Sequence, residues 1–206
     1  MRIKMNTIAT ESRFGVTTHH LFMTQSDGAD KLLIILPGRG YTSEHPVLYY
    51  LRKAALSLGY DVLSVEYGFQ AGHIDLTGEN MPYVQDDIQV AVASISGRGY
   101  QRICVAGKSM GTPLAAGLAQ TLSPERISLL LLTPIAGAAQ MAGTIPALAI
   151  IGTADYFYQP DTIQDTATLK WRVYDGLDHS LEIKNDWRGS LAILPDIIAA
   201  CADFLS

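Results

Sequence analysis

Arg102-Ile103-Cys104-Val105-Ala106-Gly107-Lys108-Ser109-Met110-Gly111-Thr112-Pro113-Leu114-Ala115-Ala116-Gly117-Leu118-Ala119 is the stretch on which the reading of this chain turns. Residues 102–106 are short and apolar, as a buried strand is, and residues 112–119 open a helix. A Gly-x-Ser-x-Gly between strand and helix forces a tight turn in which the serine takes a strained backbone conformation. The glycines two residues to either side let strand and helix approach closely. Ser109 Oγ is thereby presented at the top of a sheet, with a helix N-terminus behind it.

Outward from that turn, strands and helices alternate. Residues 2–8 and 18–24 read as two opening strands with a turn around residues 13–15. Residues 31–36 form an apolar strand ending in Pro37-Gly38-Arg39-Gly40. A helical period covers residues 45–58, with Gly59 as its C-cap, and residues 61–67 form the next strand. Residues 68–80 are a glycine-rich loop. Residues 83–95 form a helix with Asp86 and Asp87 early in it, where the dipole favours acids. After the serine the helix runs to about Leu122. Strands at 128–132 and 147–152, a short helix at 161–165 and a strand at 169–174 follow. A last helix carries Leu191, Leu194, Ile198, Cys201 and Leu205 on one face, with Pro195 near its first turn. This alternation predicts an α/β fold: a mostly parallel twisted sheet with helices on both faces.

Composition narrows the class. The 206 residues are most simply one domain spanning 1–206, and with 48% apolar and 17% charged residues they have the makings of a substantial core. A formal charge of -5 without a basic run gives no support to nucleic-acid binding or to attraction by anionic membranes. Cys104 and Cys201 both sit in apolar segments, so no disulfide framework is expected. The N-terminus lacks the apolar stretch of a signal peptide, which makes the cytoplasm the default expectation. No residue from 128 to 153 is charged, a length that would suit a membrane span. However, Pro134, Gly137, Gln140, Gly143 and Pro146 interrupt it. Two short buried strands, 129–132 and 147–151, joined by a loop explain it better, because parallel strands covered on both faces read as apolar runs.

In such sheets chemistry collects at the C-terminal ends of the strands. A serine hydroxyl needs a base, and the chain has five histidines. His19 and His20 lie in or beside an early strand, His45 begins a helix, and His73 lies in the glycine-rich loop. His179, in Tyr174-Asp175-Gly176-Leu177-Asp178-His179-Ser180, follows the last strand and is the expected base. An imidazole base needs a carboxylate on its other nitrogen. Asp155, at the end of the strand Leu148-Ala149-Ile150-Ile151-Gly152-Thr153-Ala154, is preferred. Asp175 and Asp178 are nearer in sequence, but near neighbours rarely point at each other across a loop, and they read as solvated turn residues. Asp161 and Asp165 belong to a helix start and the surface. The oxyanion of a tetrahedral intermediate needs backbone donors: Met110 N–H, directly after the serine, and Arg39 N–H, on the loop at residues 37–40. One such donor contributes about 3 kcal/mol to a transition state.

Leu36-Pro37-Gly38-Arg39-Gly40, Gly107–Gly111, Gly152-Thr153-Ala154-Asp155 and Asp178-His179-Ser180 occur in the order Ser, Asp, His used by one fold. Over nearly its whole length the chain resembles the α/β-hydrolase superfamily. Two departures stand out. Many members carry His-Gly where this chain has Pro37-Gly38, so the support of the oxyanion loop must differ. Many also insert a lid before the acid strand, where this chain has only residues 134–146. The resemblance is therefore to small lidless esterases and dienelactone-hydrolase-like members, although dienelactone hydrolases use cysteine where Ser109 stands.

That resemblance implies a serine hydrolase acting on a small-molecule carboxylic ester or thioester, with no metal or organic cofactor. The rival readings are a non-catalytic binding protein on the same fold and an acyltransferase using the same residues. Lys108 and Arg39 offer positive charge to an acidic acyl group, but the plainer expectation is that both point into solvent or to surface carboxylates. Oligomeric state is not legible.

Overall fold

The computed structural model describes residues 2–122 and 127–206. Eight strands form one sheet in the order β1-β2-β4-β3-β5-β6-β7-β8. They are β1 (Ile3–Glu11), β2 (Thr17–Gln25), β3 (Lys31–Leu36), β4 (Asp61–Ser64), β5 (Arg102–Lys108), β6 (Ile127–Leu132), β7 (Ala147–Gly152) and β8 (Leu169–Tyr174). The β1–β2 and β2–β4 pairs are antiparallel, and every pair from β4 onward is parallel.

The apolar strands divide between two cores because successive side chains alternate faces. Leu32, Ile34, Leu36, Val105, Leu129 and Leu131 pack on one side with α3 (Met81–Ala93) and α4 (Gly111–Thr121). Leu33, Ile35, Cys104, Ala106, Leu130 and Leu132 pack on the other with α1 (Pro46–Ser57) and α5 (Trp187–Leu205). The charge-free stretch is β6, a loop and β7, and no helix among the described residues is long and apolar enough to cross a membrane. Both cysteines are buried free thiols, and burial raises both thiol pKa values, that of Cys104 to about 12.

Several boundaries differ from those read in the sequence. β4 ends at Ser64, and the glycine-rich segment that follows contains a short helix, α2 (Gly68–Ala71). Helix α3 starts two residues early, so Asp87 lies beyond its first turn. Its carboxylate is buried and accepts the Gly68 N–H at 2.7 Å, tying α2 to α3 rather than answering a dipole. The expected helix at 161–165 is a single 3-10 turn, Pro160–Thr162. Helix α5 begins at Trp187, so Pro195 lies in its interior, on the exposed side where solvent can meet the carbonyl that proline leaves unpaired. The buried face of α5 is Leu194, Ile197, Cys201 and Leu205, while Leu191 is 56% exposed. Residues 133–146, between β6 and β7, hold only the 3-10 turn Gln140–Ala142, with no cap over the sheet's C-terminal edge.

Candidate active site

Strand β5 extends through Gly107 and Lys108, and Ser109 follows it with φ +53, the left-handed region that β-carbon sterics disfavour. The Ser109 N–H donates to Leu132 O at 2.9 Å, and its carbonyl accepts from Thr112 N at 2.8 Å and Thr112 Oγ1 at 2.7 Å. The turn is thus held by β6 on one side and α4 on the other. A Cβ on Gly107 would collide with the Gly111 carbonyl, and one on Gly111 would collide with the Leu36 carbonyl. Both glycines are required by contact, as the elbow pattern predicts.

The loop that carries His179 follows β8. Asp178 Oδ1 accepts from Ser180 N at 2.8 Å and Glu182 N at 3.2 Å, a turn that sets the backbone of His179. The Ala154 N–H donates to Leu177 O at 3.0 Å, and a Cβ on Gly152 would strike that same carbonyl. The loops that carry Asp155 and His179 therefore cross in contact. His179 Nδ1 lies 2.8 Å from Asp155 Oδ2 and His179 Nε2 lies 2.7 Å from Ser109 Oγ. The Asp155 side chain is fully buried, and its Oδ1 accepts from Phe157 N at 2.9 Å. With one carboxylate oxygen fixed by the backbone, the other is left to orient the imidazole.

The remaining candidates separate from this cluster. Asp175 accepts from Thr153 Oγ1 at 2.8 Å, and Asp178 shapes the turn. Asp165 accepts from Trp171 N at 2.9 Å, and Asp161 lies in the 3-10 turn. His45 stacks on Tyr41, His19 is exposed on β2, and His73 is exposed in the loop after α2. His20 is buried between Thr10, Thr18 and the Glu66 N–H, and burial lowers its pKa to about 4.

Lys108 departs most from expectation. Its side chain reaches neither solvent nor a surface carboxylate. The residue is 1% exposed, and Nζ donates to Thr133 Oγ1 and to the His179 carbonyl, each at 2.6 Å, with the Tyr41 ring 4.7 Å away. Burial lowers the ammonium pKa to about 8, against the opposing pull of Asp155 and Asp178. The lysine beside the serine is thus a clamp on the histidine's backbone. Arg39 is exposed, and its Nη2 donates to Leu76 O at 3.3 Å.

The sequence reading also missed Tyr156 and Phe157, whose rings lie 4.5 and 5.5 Å from the imidazole. Their position directly after the acid was the available signal, but an aromatic pair at a strand end carries no specific chemistry. Met110 lines an apolar groove of about 480 Å³ between α3 and α4, together with Leu114, Gly117, Leu118, Ile135 and Met141. Among the described residues no group of three His, Cys, Asp or Glu side chains is placed to hold a metal ion.

No family model matches the sequence, and no curated protein matches it. Solved structures do. An α/β serine hydrolase without a lid from Xanthomonas campestris matches with a TM-score of 0.71 at 18% identity, over 98% of this chain and 94% of that one. Dienelactone hydrolase from Anabaena variabilis matches at 0.74 and 14%, over 99% and 97%. An esterase from Pyrococcus furiosus matches at 0.71 and 16%, over 98% and 90%. At these identities the likeness shows the fold.

Proposed function

We propose that this chain, which has the α/β-hydrolase fold without a cap, is a serine hydrolase that cleaves a carboxylic ester or thioester through an acyl-enzyme. The reading rests on one observation: a single imidazole lies 2.7 Å from a strained serine hydroxyl and 2.8 Å from a buried carboxylate. In the proposed reaction His179 Nε2 takes the Ser109 proton as Oγ bonds to the substrate carbonyl carbon. Asp155 stabilises the imidazolium that results. The carbonyl oxygen, now an oxyanion, accepts from the N–H groups of Met110 and Arg39. Collapse expels the alcohol or thiol, which leaves with the proton from His179. Water then repeats the sequence on the acyl-serine and releases the acid.

The groove that Met110 lines would lay an apolar acyl chain along α4, since the same residue would offer its N–H to the oxyanion and its side chain to the groove. The test is labelling by a fluorophosphonate probe beside turnover of p-nitrophenyl esters. Wild type should label and turn over. Ser109→Ala should do neither, and Asp155→Asn should lose on the order of 10³–10⁴-fold in kcat while Asp175→Asn stays near wild type. An unlabelled wild type, or collapse in Asp175→Asn alone, would defeat the assignment.

A further inference from the structure

The proposed oxyanion hole needs the Arg39 N–H to face Ser109, and a Pro-Gly-Arg-Gly loop has no intrinsic reason to hold it there. The loop's hydrogen bonds supply one. The Gly38 N–H donates to Tyr41 O at 3.0 Å, and the Tyr67 hydroxyl donates to Pro37 O at 3.2 Å. The next two carbonyls, of Gly38 and Arg39, both accept from Gln70 Nε2, at 2.8 and 3.1 Å.

In a trans peptide the C=O and N–H point in opposite directions. A Gly38 carbonyl held toward Gln70 therefore aims the Arg39 N–H away from Gln70, and the Arg39 carbonyl does the same for the Gly40 N–H. The sheet order β4-β3-β5 says what lies on that far side. Gln70 stands in α2, after β4, the loop follows β3, and Ser109 follows β5. A Cβ on Gly38 would come within 3.3 Å of Ser109 Cβ, so loop and serine are in contact. Carbonyls are drawn to the β4 side and N–H groups face the β5 side. Neither the Arg39 nor the Gly40 N–H has an acceptor among the described residues.

We propose that Gln70 is the positioning residue of the oxyanion hole, locking the 38–39 and 39–40 peptides with their N–H groups toward Ser109; this rests on the serine-hydrolase reading. A carboxamide suits the task because its NH2 offers two hydrogens and no charge. A carboxylate in its place would face two carbonyl oxygens and repel them, favouring peptides turned with a carbonyl, not an N–H, at the oxyanion position.

The test compares wild type, Gln70→Ala and Gln70→Glu on p-nitrophenyl butyrate, with Ser109→Ala as the zero. Gln70→Ala should lose about tenfold to hundredfold in kcat with KM within about threefold, because the oxyanion exists only beyond the ground state. Gln70→Glu should be poorer still at pH 8. Its kcat relative to wild type should climb as pH falls toward 5 and the carboxyl gains a proton to donate, a recovery that a merely structural role would not give. If Gln70→Ala does not fold, the Gln70→Glu ratio decides alone: a ratio that is flat with pH overturns the proposal. Unimpaired kcat in a folded Gln70→Ala overturns it too, while an active wild type keeps the serine-hydrolase reading. A wild type inert to ester and fluorophosphonate alike removes both.

Discussion

At the scale of single residues, two glycines on one helix make opposite predictions. Gly111 begins α4 where a Cβ would strike the Leu36 carbonyl, the backbone that leads into the loop at residues 37–40. Gly111→Ala should therefore cost about 1–3 kcal/mol in urea unfolding and, on the proposed serine-hydrolase reading, depress ester turnover, since strain at the elbow displaces serine and loop together. Gly117 lies later in the same helix, where a Cβ would meet open space. Gly117→Ala should be neutral or stabilising by up to about 1 kcal/mol, as alanine loses less backbone entropy in a helix. The need for glycine at 107 was legible because it follows from local sterics against Gly111, whereas the elbow pattern marked Gly111 without showing that the β3 carbonyl of Leu36 is what excludes a Cβ there. The direction of the side chain between them was not. Lys108 alternates inward on a strand whose C-terminal end is roofed by the His179 loop, and nothing in the pentapeptide says so.

At the scale of elements, α4 joins the elbow to the groove. Met110, Pro113, Leu114, Gly117, Leu118 and Thr121 recur at helical spacing along one stripe and face Met81, Gln85 and Ile88 on or beside α3. Each methylene that leaves water for this surface contributes about 0.8 kcal/mol. In a p-nitrophenyl ester series, kcat/KM should rise from acetate to octanoate. Gly117→Phe, which fills the stripe, should cut the octanoate-to-acetate ratio several-fold. A flat series in wild type would place the acyl chain elsewhere. The long helices α1, α3, α4 and α5 were readable from period, whereas the short α2 fell in a stretch read as loop, and α5 shows the limit of period alone. A stripe through Leu191 and a stripe through Ile197 both fit the sequence, and packing against α1 and the sheet chose the second.

For the whole molecule, two buried bases make stability depend on pH, and in the same direction. Burial lowers His20 to about 4 from 6.5, so its contribution is fully present above pH 6.5 and is lost as pH falls through 4. Lys108 is lowered to about 8 from 10.5, so its contribution is full above pH 10.5 and is lost as pH falls through 8. In both cases the unfolded chain binds the proton more tightly than the folded one. Urea midpoints should thus fall more steeply between pH 6.5 and 4 for wild type than for His20→Gln. The stability of wild type minus that of Lys108→Met should grow between pH 8 and 10.5. Equal slopes in either pair would contradict the burial that drives the shift.

The alternation of strands and helices, the glycine elbow and the chain order of serine, acid and histidine are all written locally along the chain. They follow from backbone sterics and from the periods of 2 and 3.6 residues, which act between near neighbours. Two contacts are not written there: Lys108 clamping the His179 carbonyl, and Gln70 holding the loop at residues 37–40. Each of them joins segments at the C-terminal ends of different strands. Which loops meet is set by the strand order β4-β3-β5-β6-β7-β8, a consequence of packing two apolar faces at once that no local spacing encodes.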